Sequence, residues 1–90
     1  MAKIIKTNGE QVEISPKNGE YFELEEMKAI VNGWVEVVWL PHDKIMVVNE
    51  EGKLMGLPIN TEATKIYYDN FGFNDVVVGD VLLCDTNQVR

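Results

Sequence analysis

The chain has 90 residues, 46% hydrophobic and 26% charged, a balance typical of one globular domain and too apolar for a disordered chain. The formal net charge of -7, from 15 acidic and 8 basic side chains, repels phosphate backbones and anionic lipid headgroups. Because no basic stripe or known nucleic-acid-binding motif offsets that charge, we expect no direct binding to nucleic acids or membranes.

The single cysteine, Cys84, cannot form an intramolecular disulfide framework. Near the amino terminus, Ile4-Ile5 is enclosed by Lys3 and Lys6 and lacks the apolar run of a signal peptide. No segment approaches the roughly 20 apolar residues of a membrane span. We therefore expect one cytoplasmic domain over residues 1–90.

The first predicted element is a β-hairpin centred on Asn8-Gly9, a dipeptide suited to the positive φ angles of a type I′ turn. A two-residue loop at this point would pair Ile5 with Val12 and Lys3 with Ile14 on one face of the hairpin.

A helix is predicted next, because Leu24, Met27, Ile30 and Val31 recur at helical spacing after the turn residues 15–19. We expect it to begin near residues 20–22 and to end at Asn32-Gly33, where an asparagine or glycine stop is common.

Two strands follow, over Trp34–Leu40 and Lys44–Asn49, joined by a turn at Pro41-His42-Asp43. On one set of alternate positions every side chain is apolar, and the other set mixes apolar and charged residues. This pattern predicts one face that is fully buried and one that is partly covered. An uncovered apolar face usually marks an interface, so the second face is a candidate site for a protein partner or for self-association. Its candidate interface residues are Trp34, Val38, Met46 and Val48.

Asn60 or Thr61 is expected to cap a second helix of about ten residues that ends at Asn70 and Gly72. Residues 75–85 then show a strand pattern interrupted at Gly79-Asp80 by a bulge or short loop, and the polar tail 86–90 is expected to fray. The resulting order, ββαββαβ, predicts an α+β fold with about five mostly antiparallel strands and two short helices.

The residue types that catalysis or metal binding would need are sparse. His42 is the only histidine and lies in a predicted exposed turn, while Cys84 ends an apolar strand and has no predicted base beside it. Phosphate-binding glycine loops, nucleophile elbows and HExxH motifs are absent from the sequence. We expect no catalytic residues, no metal site, no cofactor and no enzymatic activity.

The connection from residue 49 to residue 60 is the segment that generic folding explains least. Two glycines and a proline would hold it in a compact shape, and function is often carried by loops on a rigid scaffold. A rigid turn with a helix cap would explain the same residues. The candidate binding residues are Asn49, Lys53, Gly56, Leu57, Pro58 and Asn60.

The sequence VNEEGKLMGLPIN, from Val48 to Asn60, resembles the signature of the domain of unknown function 3846 family of small bacterial and phage proteins. The segments VNGWVEVVWLP and VVVGDVLLCD are similar to the central strand and the closing segment of that family. The resemblance implies a gene often found on mobile elements, and it supplies no activity, cofactor or catalytic residue.

Three functions remain open from the sequence. The first is a non-enzymatic protein-interaction module that uses the apolar sheet face, either as a homodimer or with another protein. The second is a small-ligand-binding or catalytic domain centred on residues 49–60. The third is an acidic mimic of nucleic acid, which would require carboxylates arranged at phosphate-like spacing along one face.

Overall fold

The computed structural model describes residues 2–72 and 75–89 and shows one antiparallel sheet with the strand order β2-β1-β5-β4-β3. The predicted α+β fold and the element order ββαββαβ are confirmed. The last strand in the sequence lies at the centre of the sheet. The elements are β1 (Ala2–Ile5), β2 (Gln11–Ile14), α1 (Leu24–Val31), β3 (Val35–Leu40), β4 (Lys44–Asn49), α2 (Thr61–Phe71) and β5 (Val81–Asp85).

Each face of the sheet is covered by one helix, so the side chains of the central strands are buried on both sides. Helix α1 packs on the first face, whose buried core contains Ala2, Phe22, Met27, Val31, Ile45, Val47, Leu82 and Cys84. Helix α2 covers the second face, whose buried core contains Ile5, Met46, Val48, Ala63 and Val81. The second face was expected to be only partly covered; Ala63, Ile66 and Tyr67 of α2 complete it.

The first hairpin has a register one residue away from the predicted one. Ile4 pairs with Val12 and Ile5 with Gln11, because the loop has three residues and ends at Gly9 with φ 91°. The Lys6 N–H donates to the Glu10 carbonyl (2.8 Å), which closes this longer loop. The one-residue shift places Ile5 and Val12 on opposite faces of the hairpin instead of on one face, and Ile5 lies in the core beneath α2.

Helix α1 begins at Leu24, later than predicted, because the residues before it form a separate turn. The Asn18 side-chain oxygen accepts hydrogen bonds from the N–H groups of Glu20 (2.8 Å) and Tyr21 (2.9 Å). The helix ends at Asn32, whose φ of 65° is left-handed, as the Asn-Gly stop predicted.

The second hairpin and helix α2 have the predicted positions. Strands β3 and β4 pair from Val35 with Asn49 to Leu40 with Lys44. Helix α2 has 11 residues, begins after Asn60 and ends at Gly72. The predicted interruption before the last strand is also present: Val78 forms an isolated bridge, and β5 begins only after Gly79-Asp80.

The carboxyl-terminal tail is docked over residues 86–89, contrary to the predicted fraying, and Arg90 lies outside the described residues. Residues 86–88 form a 3-10 turn, and the Gln88 carbonyl accepts a hydrogen bond from the Phe22 N–H (2.6 Å). Val89 bridges to Phe22 and packs against the core beneath α1. The tail was expected to fray because most of its residues are polar, but its one apolar residue, Val89, docks it on the core.

Replacing the anchor should therefore destabilise the whole domain. We expect Val89→Ala to lower the free energy of unfolding by about 1–2 kcal/mol, because two buried or half-buried methyl groups are lost. Asn87→Ala, on an exposed residue of the same turn, should change it by less than about 0.5 kcal/mol. Urea unfolding followed by circular dichroism measures both; equal effects would show that the tail is not docked.

Candidate functional site

The candidate site is the loop of residues 50–59, called here the pinned loop because a buried asparagine holds each end. At the first end, Asn49 is 5% exposed and its side-chain amide donates to the carbonyls of Val31 (3.0 Å) and Asn32 (3.2 Å). These carbonyls lie at the end of α1, where helices lack internal donors. The Asn49 Oδ1 atom accepts from the Glu51 N–H (2.8 Å), which starts the loop.

At the second end, Asn60 is fully buried and joins three parts of the chain. Its amide donates to the carbonyls of Ile5 and Gly79, both at 2.9 Å. Its Oδ1 atom accepts from the Ala63 N–H (3.1 Å) and caps α2. The side chain thus links the end of β1, the approach to β5 and the start of α2.

Between the two pins the chain forms one helical turn. The Met55 N–H donates to the Glu51 carbonyl (2.9 Å), as in an α-helix. Gly56 has φ 69°, and the N–H groups of Gly56 and Leu57 donate to Lys53 and Gly52, respectively. This pair of bonds is the Schellman pattern that ends helices at a left-handed glycine.

The returning half of the pinned loop packs against residues 77–79. A Cβ on Gly52 would lie 2.7 Å from the Val78 side chain, and one on Gly79 would lie 2.8 Å from Leu57. Glycine at both positions therefore permits close packing of the two segments. Hydrogen bonds from Gly79 N–H to the Pro58 carbonyl (2.8 Å) and from Asn60 N–H to the Val77 carbonyl (2.7 Å) complete the contact.

This rigid loop holds large apolar side chains in solvent. Leu54 is 88% exposed, Ile59 56% and Met55 50%, so three large apolar side chains within a stretch of six residues face solvent. Beside them, the Lys53 ammonium pairs with Asp75 and holds the pKa of that carboxyl below its ordinary value. Glu50 and Glu51 are exposed at the start of the loop.

A cleft of about 310 Å³ lies beside the loop, between the start of β3, α2 and residues 75–78. Its volume is at the lower limit for small-molecule sites. The charged side chains that line it are four carboxylates and one ammonium: Glu36, Glu50, Glu51, Asp75 and Lys53. Since that ammonium already pairs with Asp75, the cleft offers no unpaired cation to an anionic ligand.

The predicted binding residues separate into two groups. Asn49 and Asn60 are structural pins whose amide groups are engaged with backbone atoms, so the expectation that they form polar ligand contacts is not supported by their geometry. Lys53, Gly56 and Pro58 are exposed and Leu57 is half-buried on Gly79. Only Asn49 and Lys53 of the six predicted residues line the cleft.

The predicted interface residues do not form an exposed face. Met46 is fully buried, Val48 is 9% exposed and Val38 packs against their core, because α2 covers this side of the sheet. Trp34 is exposed, but it precedes β3 and carries the Lys28 ammonium 4.1 Å from its ring centre. The residues that sequence reasoning missed are the exposed Leu54, Met55 and Ile59 of the loop and Trp39 of β3.

The two groups considered for catalysis are separate. His42 is exposed in the turn between β3 and β4, and Cys84 is buried in the central strand. Burial raises the pKa of the Cys84 thiol to about 11. Among residues 2–72 and 75–89, no group of three histidine, cysteine or acidic side chains could hold a metal ion. None of the helices in these ranges is long and apolar enough to cross a membrane.

Removing the second pin should unfold the site together with the domain. Asn60→Ala removes the amide hydrogen bonds to the carbonyls of Ile5 and Gly79 and the cap on the Ala63 N–H, so we expect the free energy of unfolding to fall by about 2–4 kcal/mol. Asn70 in the same helix donates an exposed hydrogen bond to Ile66, and Asn70→Ala should cost less than about 0.5 kcal/mol. Urea titrations of both variants test the ranking, and a mild effect of Asn60→Ala would argue against the pin.

The buried thiol should make stability depend on alkaline pH. The pKa of Cys84 rises from 9.0 to about 11 on folding, so the folded state retains its proton more strongly. Stability is therefore fully present below pH 9 and declines as the pH rises towards 11. Unfolding titrations across this range should show the decline in the wild type and less of it in Cys84→Ala; parallel curves would contradict this assignment.

One protein family model matches nearly the whole chain. The profile described as "Domain of unknown function (DUF3846)" matches residues 2–89 and thus includes the pinned loop, both helices and all five strands. No curated protein and no solved structure shows a significant match to the chain. The chain belongs to the DUF3846 family, as the signature from Val48 to Asn60 indicated.

Proposed function

We propose that this domain is a non-enzymatic protein-interaction module whose contact surface is the pinned loop. The observation that carries the proposal is the exposure of Leu54, Met55 and Ile59 on a segment fixed at both ends. Apolar side chains held in solvent by a rigid backbone can be buried by a partner without the entropic cost of ordering the loop.

The partner we propose is a different protein with a concave apolar pocket surrounded by basic groups. Among residues 2–72 and 75–89, Leu54 is the most exposed large apolar residue, and it would fill such a pocket as an anchor. Glu50 and Glu51 lie beside it, and the whole chain carries a net charge of -7, so basic groups around the pocket would attract the domain. This charge contributes mainly to the rate of association.

The alternatives have less support. A ligand-binding or catalytic role would rely on the small, carboxylate-rich cleft, in which the only lining ammonium is already paired. A nucleic-acid mimic would need its acids on one face, whereas they are distributed over β2, α1, α2, β5 and several turns. The mobile-element origin that the family resemblance implies is part of our proposal and predicts phage- or plasmid-type neighbouring genes.

The proposal is tested with a partner that is first isolated and then purified. The full chain is used to capture proteins from a lysate of its native host, and each candidate is expressed and titrated by calorimetry. We expect Leu54→Ala to weaken binding at least tenfold, corresponding to about 1.4 kcal/mol, because an interface anchor is truncated. Equal affinities of wild type and Leu54→Ala for every purified candidate would refute this use of the loop.

Tyr68→Ala is the matched control, since Tyr68 is 51% exposed and lies on α2, outside the loop. It should leave the affinity for the partner unchanged. Glu50→Gln together with Glu51→Gln should slow association with little change in dissociation, and the difference should disappear as salt screens the charges. A partner that prefers the neutralised variant would exclude the basic surroundings proposed for its pocket.

A further inference from the structure

Strand β3 forms one edge of the sheet, and it has little of the usual protection against pairing with another strand. Its sequence is Val-Glu-Val-Val-Trp-Leu, without proline, lysine or arginine. Proteins commonly protect an exposed edge with charges, prolines, bulges or short strands. Glu36 is the only charged residue along these six positions.

The opposite edge, strand β2, is shorter and more polar. It has only four residues, Gln11–Ile14. Lys6 and Glu10 form a hydrogen-bonded pair, so the next such pair is Ile4 with Val12. The backbone groups of Gln11 and Glu13 therefore point outward. A proline follows each edge strand, Pro16 two residues after β2 and Pro41 directly after β3, so proline does not distinguish the two edges. The edges differ in the length of the strand and in the residues whose backbone groups point outward.

The outward hydrogen-bonding groups of β3 can be assigned from the ladder. The Glu50 N–H donates to the Trp34 carbonyl (2.9 Å), so residues 34, 36, 38 and 40 bond to β4. The Thr86 N–H donates to the Asp43 carbonyl (2.8 Å), so residues 43, 45 and 47 bond towards β5. The alternate residues of β4, 44, 46 and 48, therefore bond towards β3, which gives the same assignment independently. The N–H and C=O groups of Val35, Val37 and Trp39 consequently point away from the sheet.

These three residues are self-complementary. If β3 of a second copy lies antiparallel with a two-fold axis at Val37, Val37 pairs with itself and Val35 pairs with Trp39 of the other copy. Every pair joins outward groups to outward groups, and this register gives six backbone hydrogen bonds. It also covers the indole of Trp39 with a β-branched partner, a favourable cross-strand pair.

We propose that two copies of this chain associate through antiparallel β3–β3 pairing, which joins their sheets into one of ten strands. The occupant of the edge is a second copy because the outward groups match themselves in this register without a shift. In this register each Glu36 lies diagonal to its counterpart and the two net charges of -7 repel, so salt should strengthen the association.

Hydrogen exchange measured by nuclear magnetic resonance tests the pairing without a mutation. In the monomer the amides of Val35, Val37 and Trp39 point away from the sheet, whereas those of Glu36 and Val38 are bonded to β4. Between roughly 10 μM and 1 mM protein, we expect exchange at the three outward amides to slow at least tenfold, in proportion to the dimer population. The inward amides should remain protected throughout.

Variants then separate this interface from the pinned loop. Trp39→Lys should return the outward amides to fast exchange and give a monomer in sedimentation experiments, because a charge replaces the cross-strand contact. Since Trp39 is largely exposed, this variant should keep the protection of Glu36 and Val38, which shows that β3 is still folded. Leu54→Lys, on the loop, should leave the dimer intact.

The proposal is overturned by a strict monomer with fast outward amides at the highest concentration. It is also overturned by a dimer that persists in Trp39→Lys, or that salt dissociates, since either would locate the contact elsewhere. Protection that appears only when a purified partner protein is added would assign the edge to that partner instead of to a second copy. None of these results depends on whether the pinned loop binds a partner.

Discussion

Two buried asparagine side chains determine how the sheet, the helices and the exposed loop fit together. Asn49 satisfies carbonyls at the end of α1, and Asn60 satisfies carbonyls of β1 and of the approach to β5 while capping α2. Buried amides are stable only when all of their donors and acceptors are engaged, and among the described residues no buried side-chain polar atom lacks a partner. The backbone between these pins therefore has little freedom, and its conformation is a property of the whole domain.

This arrangement explains why the loop resembles a binding site in sequence and yet does not present the two asparagines at its ends. An asparagine side chain can bind a ligand or form hydrogen bonds with the protein's own backbone. In this domain of 90 residues, the side chains of Asn49 and Asn60 both bond to the backbone. The amides of Asn49 and Asn60 are engaged with backbone atoms, whereas the apolar side chains of Leu54, Met55 and Ile59 between them face solvent. Under our proposal, these exposed apolar side chains on a rigid backbone are recognised by a protein that supplies an apolar pocket for them.

The sequence predicts the fold well wherever one local signal dominates. Asn60 marks the start of α2, and the three residues after Leu40 separate two strands, as predicted. The errors arise where two local solutions are close in energy. A two-residue and a three-residue loop can both use Asn8-Gly9, and the choice between them shifts the first hairpin by one position.

The site was harder to predict because exposure is decided by tertiary packing. Met46 and Leu54 are both large and apolar, and only the position of α2 buries the first, whereas the turn ending at Gly56 holds the second in solvent. Val89 shows the converse case, in which one apolar residue in a polar tail is enough to dock it. Composition alone does not distinguish these environments.

The loop and the edge of β3 are distinct surfaces that would reinforce each other. The pinned loop begins where Glu50 bonds to Trp34, just before β3, so antiparallel pairing of two β3 strands would place the two loops at opposite ends of the joined strands. A dimer of this form presents two identical anchors in a fixed relative orientation. Against a partner that is itself repeated or dimeric, the second contact becomes intramolecular and raises the apparent affinity without any new side chain. The high negative charge then has a physical role at the loop and at the β3 edge, because it opposes nonspecific association between copies. Only contacts that supply enough hydrogen bonds and apolar burial overcome this repulsion.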